Sequence, residues 1–335
     1  MNRKLLVSLL FLAIAVSGLF YWQQSRSNDS AAAQAKHGSR DFSGLPATFS
    51  DDVQEKQERT QIQLQTREIL QQSVQRLENW PALEANVRQK INLFGQQLVG
   101  PGRYVQAGQG SNKARLELTF KSDDFQAEII QINDGRFLYI KNDAEKDAPM
   151  QRVDLRELDK HTSGNPSPAA ASPLDAANSR WMAMGGLAHL LKQMNQDFVF
   201  NSLRSARIDD MEVLILEGTW NPQCLSDICG KLQVLDKAGR IQYDRLPPQL
   251  PTHIQVTLGN EEPLSLFPHQ IVYLRKQINR QGELDAQTIA SFEFFNVRPA
   301  KDLAASTFQI EEDATRLTDI TDSMLKTTSE DTVVR

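Results

Sequence analysis

The sequence predicts an α+β domain: a strongly curved antiparallel sheet, or incomplete β-barrel, with amphipathic helices covering its concave face. Three observations carry this. Apolar residues recur at helical spacing in two stretches, around 50–78 and 181–194. Nearly everything else alternates with period two and is punctuated by turn residues. A sheet of about ten strands cannot stay flat, because strand twist accumulates until the sheet curls.

Taken in order, Ser50 or Asp51 can cap a helix running to about Glu78, with Ile62, Ile69, Leu70, Val74 and Leu77 at helical spacing. Trp80-Pro81 ends it, since proline cannot continue the hydrogen-bonded turn. Ala85, Val87, Ile91 and Leu93 then alternate with polar residues as a half-buried strand. Gly100-Pro101-Gly102 reads as a turn before a strand at Tyr104-Val105. Leu116, Leu118 and Phe120, and next Phe125, Ala127 and Ile129, continue the pattern. Asn133-Asp134-Gly135 is a hairpin turn returning into Arg136–Ile140, so residues 85–155 form an antiparallel meander.

Residues 161–180 read as a low-complexity surface loop. From Trp181 to Met194 helical spacing resumes, placing Leu187, Leu190, Leu191 and Met194 on one face, and Gly185-Gly186 makes that helix easier to bend. A second strand series follows at Val199–Ile208, Met211–Trp220, Lys231–Leu235, Ile241–Arg245, Ile254–Leu258, Ile271–Lys276, Ile289–Val297 and Thr307–Ile310. Lys237–Arg240 is a hairpin turn, and Pro247, Pro248 and Pro251 force an extended crossing. Residues 323–335 read as a polar, frayed tail. The expected organisation is therefore a segment 1–24, a flexible linker 25–50, one domain at 51–322, and the tail.

Residues 5–22 carry no charge over 18 positions and follow Arg3 and Lys4. As a helix they span about 27 Å, close to the ~30 Å hydrocarbon core of a bilayer. Tyr21 and Trp22 at the end of the run suit the headgroup layer, which favours a retained anchor. Ala15-Val16-Ser17 ahead of Gly18 offers the small residues of a cleaved signal peptide, the competing reading. Basic residues before the span place the N-terminus in the cytoplasm and the bulk of the chain outside. No cysteine lies near the span to carry a lipid.

With 40% hydrophobic and 24% charged residues and a net charge of −5, the composition is that of a globular protein and not of a nucleic-acid binder. The two cysteines, Cys224 and Cys229, are expected to close a short disulfide across a hairpin tip in an oxidising compartment. The five histidines, His37, His161, His189, His253 and His269, show no metal-ligand spacing, and neither a nucleophile elbow nor a phosphate-binding loop is present. No catalytic residue, metal or cofactor is expected. The carboxylate pairs Asp123-Asp124, Asp209-Asp210 and Glu261-Glu262 read as solvated turns.

Several segments carry a resemblance to a known family. They are the helix with Leu70 and Leu77 leading into Ala85–Phe94, then Gly100 and Gly102 before Tyr104-Val105-Gln106 and Ala114–Phe120. Ile130–Tyr139 followed by Gln151–Leu155, Leu235–Ile241, and Ser291–Phe295 through Ala304–Phe308 extend it. Together they resemble the LolA-like fold of periplasmic lipoprotein carriers over roughly residues 60–312, especially the large planctomycete-type members, with Leu266-Phe267-Pro268 before a strand at Tyr273. The carriers' Arg-Pro pair has no counterpart in Arg115–Asp123, and the carriers are soluble shuttles.

The resemblance implies a bacterial envelope protein; the uncharged run at 5–22, and not the resemblance, predicts that it is anchored in the inner membrane with its domain in the periplasm, or secreted there if the run is a cleaved signal. The resemblance implies an apolar cavity for lipid or lipoprotein acyl chains; Leu187, Leu190, Leu191 and Met194, from their helical spacing, are the candidate lid contacts, with ordinary core as the competing reading. The alternative on the same fold is an interaction or sensor module with an envelope protein partner and no lipid cargo.

Overall fold

A computed structural model describes residues 49–93, 96–108, 110–122, 125–143, 148–162, 180–229, 233–248, 250–278, 284–300, 303–310 and 317–329. The span at 5–22, His37, Asp123-Asp124 and nearly all of the 161–180 loop lie outside the described residues.

Helix α1, Phe49–Asn79, ends where Pro81 removes the next donor. The meander follows as β1 (Leu83–Leu93), β2 (Gln96–Gln106), β3 (Ala114–Ser122), β4 (Phe125–Asn133), β5 (Phe137–Asn142) and β6 (Met150–Asp154). Helices α2 (Leu155–Thr162), α3 (Arg180–Ala183) and α4 (Leu187–Asp197) lead to the hairpin β7 (Phe198–Ile208) and β8 (Met211–Trp220). Then come α5 (Pro222–Cys229), β9 (His253–Gly259), β10 (Pro268–Ile278), β11 (Leu284–Pro299), β12 (Leu317–Asp319) and α6 (Thr321–Ser329).

The twelve strands among the described residues form one curved sheet in the order β12-β6-β5-β4-β3-β2-β1-β11-β10-β9-β8-β7. Every pairing is antiparallel except β12 on β6. The sheet does not close into a barrel, and β7 and β12 are its edges. Antiparallel pairing of β1 with β11 joins the two halves of the chain, with Val87 opposite Phe294.

Alternation sends Ala85, Val87, Tyr104, Leu116, Leu118, Phe120, Leu138, Val256, Ile271, Phe292 and Phe294 to the concave side, where Leu70 and Leu77 of α1 and the apolar residues of α3 and α4 join them in one core. A second, small cluster of Val105, Ile132 and Phe308 lies on the convex side. There the chain after β11 crosses the sheet, and Arg115 Nη1 donates to Thr307 O at 3.1 Å.

Several local expectations are corrected. Gly100-Pro101-Gly102 is not a turn but the middle of β2, with Gly102 opposite Val87 on one side and Leu118 on the other. A Cβ on Gly102 would lie 1.7 Å from Glu117 O, so the glycine serves close backbone approach. Of the expected strand pair around 231–245, only a Leu235–Ile241 bridge around the Asp236–Arg240 turn forms, and Tyr243–Arg245 is a 3-10 turn. Arg275 holds this region by donating to the carbonyls of Leu246, Pro247 and Leu250. Thr307–Ile310 is not a strand, because Ala305–Phe308 forms a 3-10 turn. The tail expected after residue 322 begins as α6, with Met324 and Leu325 packed on the core.

Cys224 and Cys229 are free thiols, so the expected disulfide is absent. They sit on α5 and not on a hairpin tip. Five positions of helix separate their Cα atoms by about 7.5 Å along the axis, beyond the ~7 Å that a disulfide bridges.

Candidate functional site

The expected Trp181–Met194 helix is broken in two at Gly185 and Gly186, whose φ values are 121° and 72°. Only glycine adopts such backbone without strain, so α3 and α4 meet at an elbow. Gly186 N–H donates to Trp181 O at 2.8 Å, closing the elbow. No side chain caps the N-terminus of α4. The cap is replaced by the sheet: the Leu187 N–H donates to the Tyr104 hydroxyl at 3.2 Å, and that hydroxyl donates to Gln106 Oε1 at 2.8 Å.

Tyr104 is fully buried, which pushes its phenol well above its ordinary pKa and keeps it a hydrogen-bond donor. Asn133 is the second tether. Its Nδ2 donates to Met182 O at 2.8 Å and Ala183 O at 3.2 Å, while its Oδ1 accepts Gly135 N–H at 2.8 Å. One asparagine thus shapes the β4–β5 turn and holds α3.

Leu187, Leu190, Leu191 and Met194 are all buried, at most 5% exposed. They share one core with Leu70 and Leu77 of α1 and with Phe198 and Phe200 of β7, and α4 packs against both elements. Thus α4 covers the concave face and α1 lies beside it. Two hydroxyls on the inner face of α1 fix its position: Ser73 donates to Leu266 O at 2.7 Å, and Thr66 lies 3.1 Å from Phe200 O.

Among the described residues, aromatic side chains pack between the cover and the sheet. Under the elbow Tyr104 meets Trp181 at 5.8 Å between ring centroids and Phe294 at 5.9 Å, and Trp181 meets Phe292 at 6.3 Å. Phe267 continues the row, 6.3 Å from Phe294 and 6.0 Å from Trp80. At the far side Phe198 stacks on Trp220 at 4.2 Å. Trp181 of α3 thus packs directly on the aromatic residues of the sheet.

Among the described residues the histidines lie apart. His253 pairs with Thr252 and stacks on Tyr243, and His269 faces Phe294 O; burial lowers the pKa of both. His189 is half-buried on α4. Among the described residues no three His, Cys, Asp or Glu side chains approach as metal ligands. What the arrangement does is bury apolar surface between the sheet and the α3–α4 elbow.

The sequence had marked the elbow glycines and the inner face of α4. Its reading missed Tyr104, Gln106 and Asn133 as tethers, because a polar residue within a strand or turn carries no sign of what packs across it. Trp80 had read only as a helix terminator.

We found no protein-family model and no curated protein that matches the chain. Solved structures similar to it include a LolA superfamily protein from Nitrosomonas europaea, at 12% identity and a TM-score of 0.28 over 73% of this chain and 97% of that one. LprF from Mycobacterium bovis is similar at 12% identity and a TM-score of 0.32, over 71% of this chain and 95% of that one. A MucA/MucB complex structure from Pseudomonas aeruginosa is similar at 10% identity and a TM-score of 0.33, over 72% of this chain and 59% of that one. At this level of similarity no ligand, partner or activity passes from them to this chain.

Proposed function

We propose that this chain is a non-enzymatic binding protein of the bacterial envelope. It takes acyl chains of a lipid or lipoprotein onto its concave face as the α3–α4 cover lifts. The carrying observation is the cover itself: a helix whose buried face is apolar from Leu187 to Met194, with Asp197 buried at its last position, broken from its neighbour by two glycines in backbone that other residues avoid. The magnitudes are compatible with exchange. Burying a Leu or Met side chain is worth about 1.5–3 kcal/mol, so the four residues of α4 hold it down by about 6–12 kcal/mol. An acyl chain of about sixteen carbons gains about 12 kcal/mol on burial, at about 0.8 kcal/mol per CH₂. One chain therefore balances the burial of those four side chains, and a lifted helix can repack on the ligand.

The uncharged run at 5–22 supports tethering to the inner membrane with the domain in the periplasm. N-terminal sequencing of the mature protein tests the tether: a start at Met1 supports a retained anchor, and a start at Gly18 replaces it with a cleaved signal.

Native mass spectrometry of the protein drawn from its own membranes tests the cargo. Mass adducts that resolve as lipid support it. A second reading, an interaction module without cargo, is favoured by the aromatic packing under the elbow. An adduct-free protein that co-purifies with a stoichiometric envelope protein would establish that reading in place of the first.

A further inference from the structure

An open groove of about 670 Å³ lies where α1 ends against the loop between β9 and β10. Its apolar walls are Trp80, Pro81, Pro263, Leu266 and Pro299, and its polar rim is Gln72, Gln75, Asn79 and Arg76. Arg76 is the single charged residue lining it, and its Nη2 lies 2.6 Å from both carboxylate oxygens of Glu262. The side chains of that pair are 37% and 69% exposed. So exposed a pair contributes little and exchanges readily with a competing anion.

The loop it holds is under strain. Leu266 has φ 62°, and its carbonyl accepts the Ser73 hydroxyl. A leucine kept in left-handed backbone belongs to a segment fixed by its neighbours, as at ligand clamps. Behind it the groove meets the interior. Trp80 packs edge-on to buried Phe267, Phe267 on Phe294, Phe294 on Tyr104, and Tyr104 on Trp181 under the elbow. A row of rings thus links the groove to the covered face.

We infer that this groove receives the polar end of an anionic amphiphile, a phospholipid with a free phosphate headgroup. Arg76 exchanges Glu262 for the phosphate, and the acyl chain passes Leu266 along the row of rings. A lone guanidinium among neutral amides suits one anionic group, which it can hold by two parallel hydrogen bonds. The released Glu262 no longer ties the loop to α1. The inference rests on the acyl-binding reading and adds to it the headgroup class and the way in.

The test uses the full chain in a non-ionic detergent and follows the indole N–H signals of Trp80 and Trp181 by NMR. Dihexanoyl phosphatidic acid, dihexanoyl phosphatidylcholine and inorganic phosphate are the separate probes. Phosphatidic acid should shift the Trp80 signal, R76Q should weaken its binding about tenfold, and E262Q should strengthen it. Opposite effects of two surface substitutions cannot come from misfolding. Equal affinity in both variants, or inorganic phosphate acting as strongly as phosphatidic acid, would overturn the inference. A shift at Trp181 without one at Trp80 would remove the groove and leave acyl binding standing; silence at both would remove both.

Discussion

The backbone N–H of Leu187 ends on the hydroxyl of Tyr104, 3.2 Å away, so a strand side chain does the work of a helix cap. Y104F keeps the ring and deletes the acceptor. It leaves the Leu187 N–H and Gln106 Oε1 without a partner in a buried place, which costs about 1–3 kcal/mol. A urea titration should show that loss with an unchanged slope. On the proposed acyl-binding reading, lipid should also exchange faster in this variant, because the cover loses a tether.

Gly186 and Gly239 separate conformational strain from crowding. Both have positive φ, 72° and 75°. A Cβ on Gly239 meets nothing within 4 Å, whereas one on Gly186 falls 2.4 Å from the Tyr104 hydroxyl. G239A should cost about 1–2 kcal/mol from backbone alone. G186A should cost more, because it also forces Tyr104 and α4 apart. Thermal unfolding of both variants checks the order.

Acid should release the C-terminal end before the core. The Thr321 hydroxyl and backbone N–H, followed by the Arg152 guanidinium, hold the carboxyl of Asp319 at about 2. An unperturbed aspartate titrates at about 3.9. The folded value is the lower one, so the stabilisation is complete above about pH 4 and is lost as pH falls through about 2. Hydrogen exchange of residues 317–329 should rise across that window, and in D319N the rise should be absent.

The cysteines should behave as two protected thiols. Burial pushes Cys229 up to about 11 and raises Cys224 as well, so both are mostly protonated at neutral pH. Alkylation of the folded protein should be slow. After denaturation without reductant, both cysteines should take up label; a protein that takes up none contains the disulfide after all.

Legibility in the sequence followed periodicity. The meander from β1 to β6 was readable because Leu116, Leu118 and Phe120 alternate cleanly and Asn133-Asp134-Gly135 names its turn. Gly100-Pro101-Gly102 misled because the same residues that make turns also let strands approach closely, and only the packing of Glu117 against Gly102 decides between them. The three-residue β12 was invisible, since Leu317–Asp319 has no period to read and depends on β6. The inner face of α4 was visible as a stripe, but the row of rings from Trp80 to Trp181 joins residues that no local pattern connects.

On the proposed reading, α4 leaves the sheet when acyl chains arrive. Spin labels at Lys192, exposed on α4, and at Lys121, exposed on β3, report that motion directly. On addition of a long-chain lipid, the interlabel distance should change by about the 10 Å width of a helix. A distance that stays fixed while the protein is saturated with lipid would contradict a lifting cover.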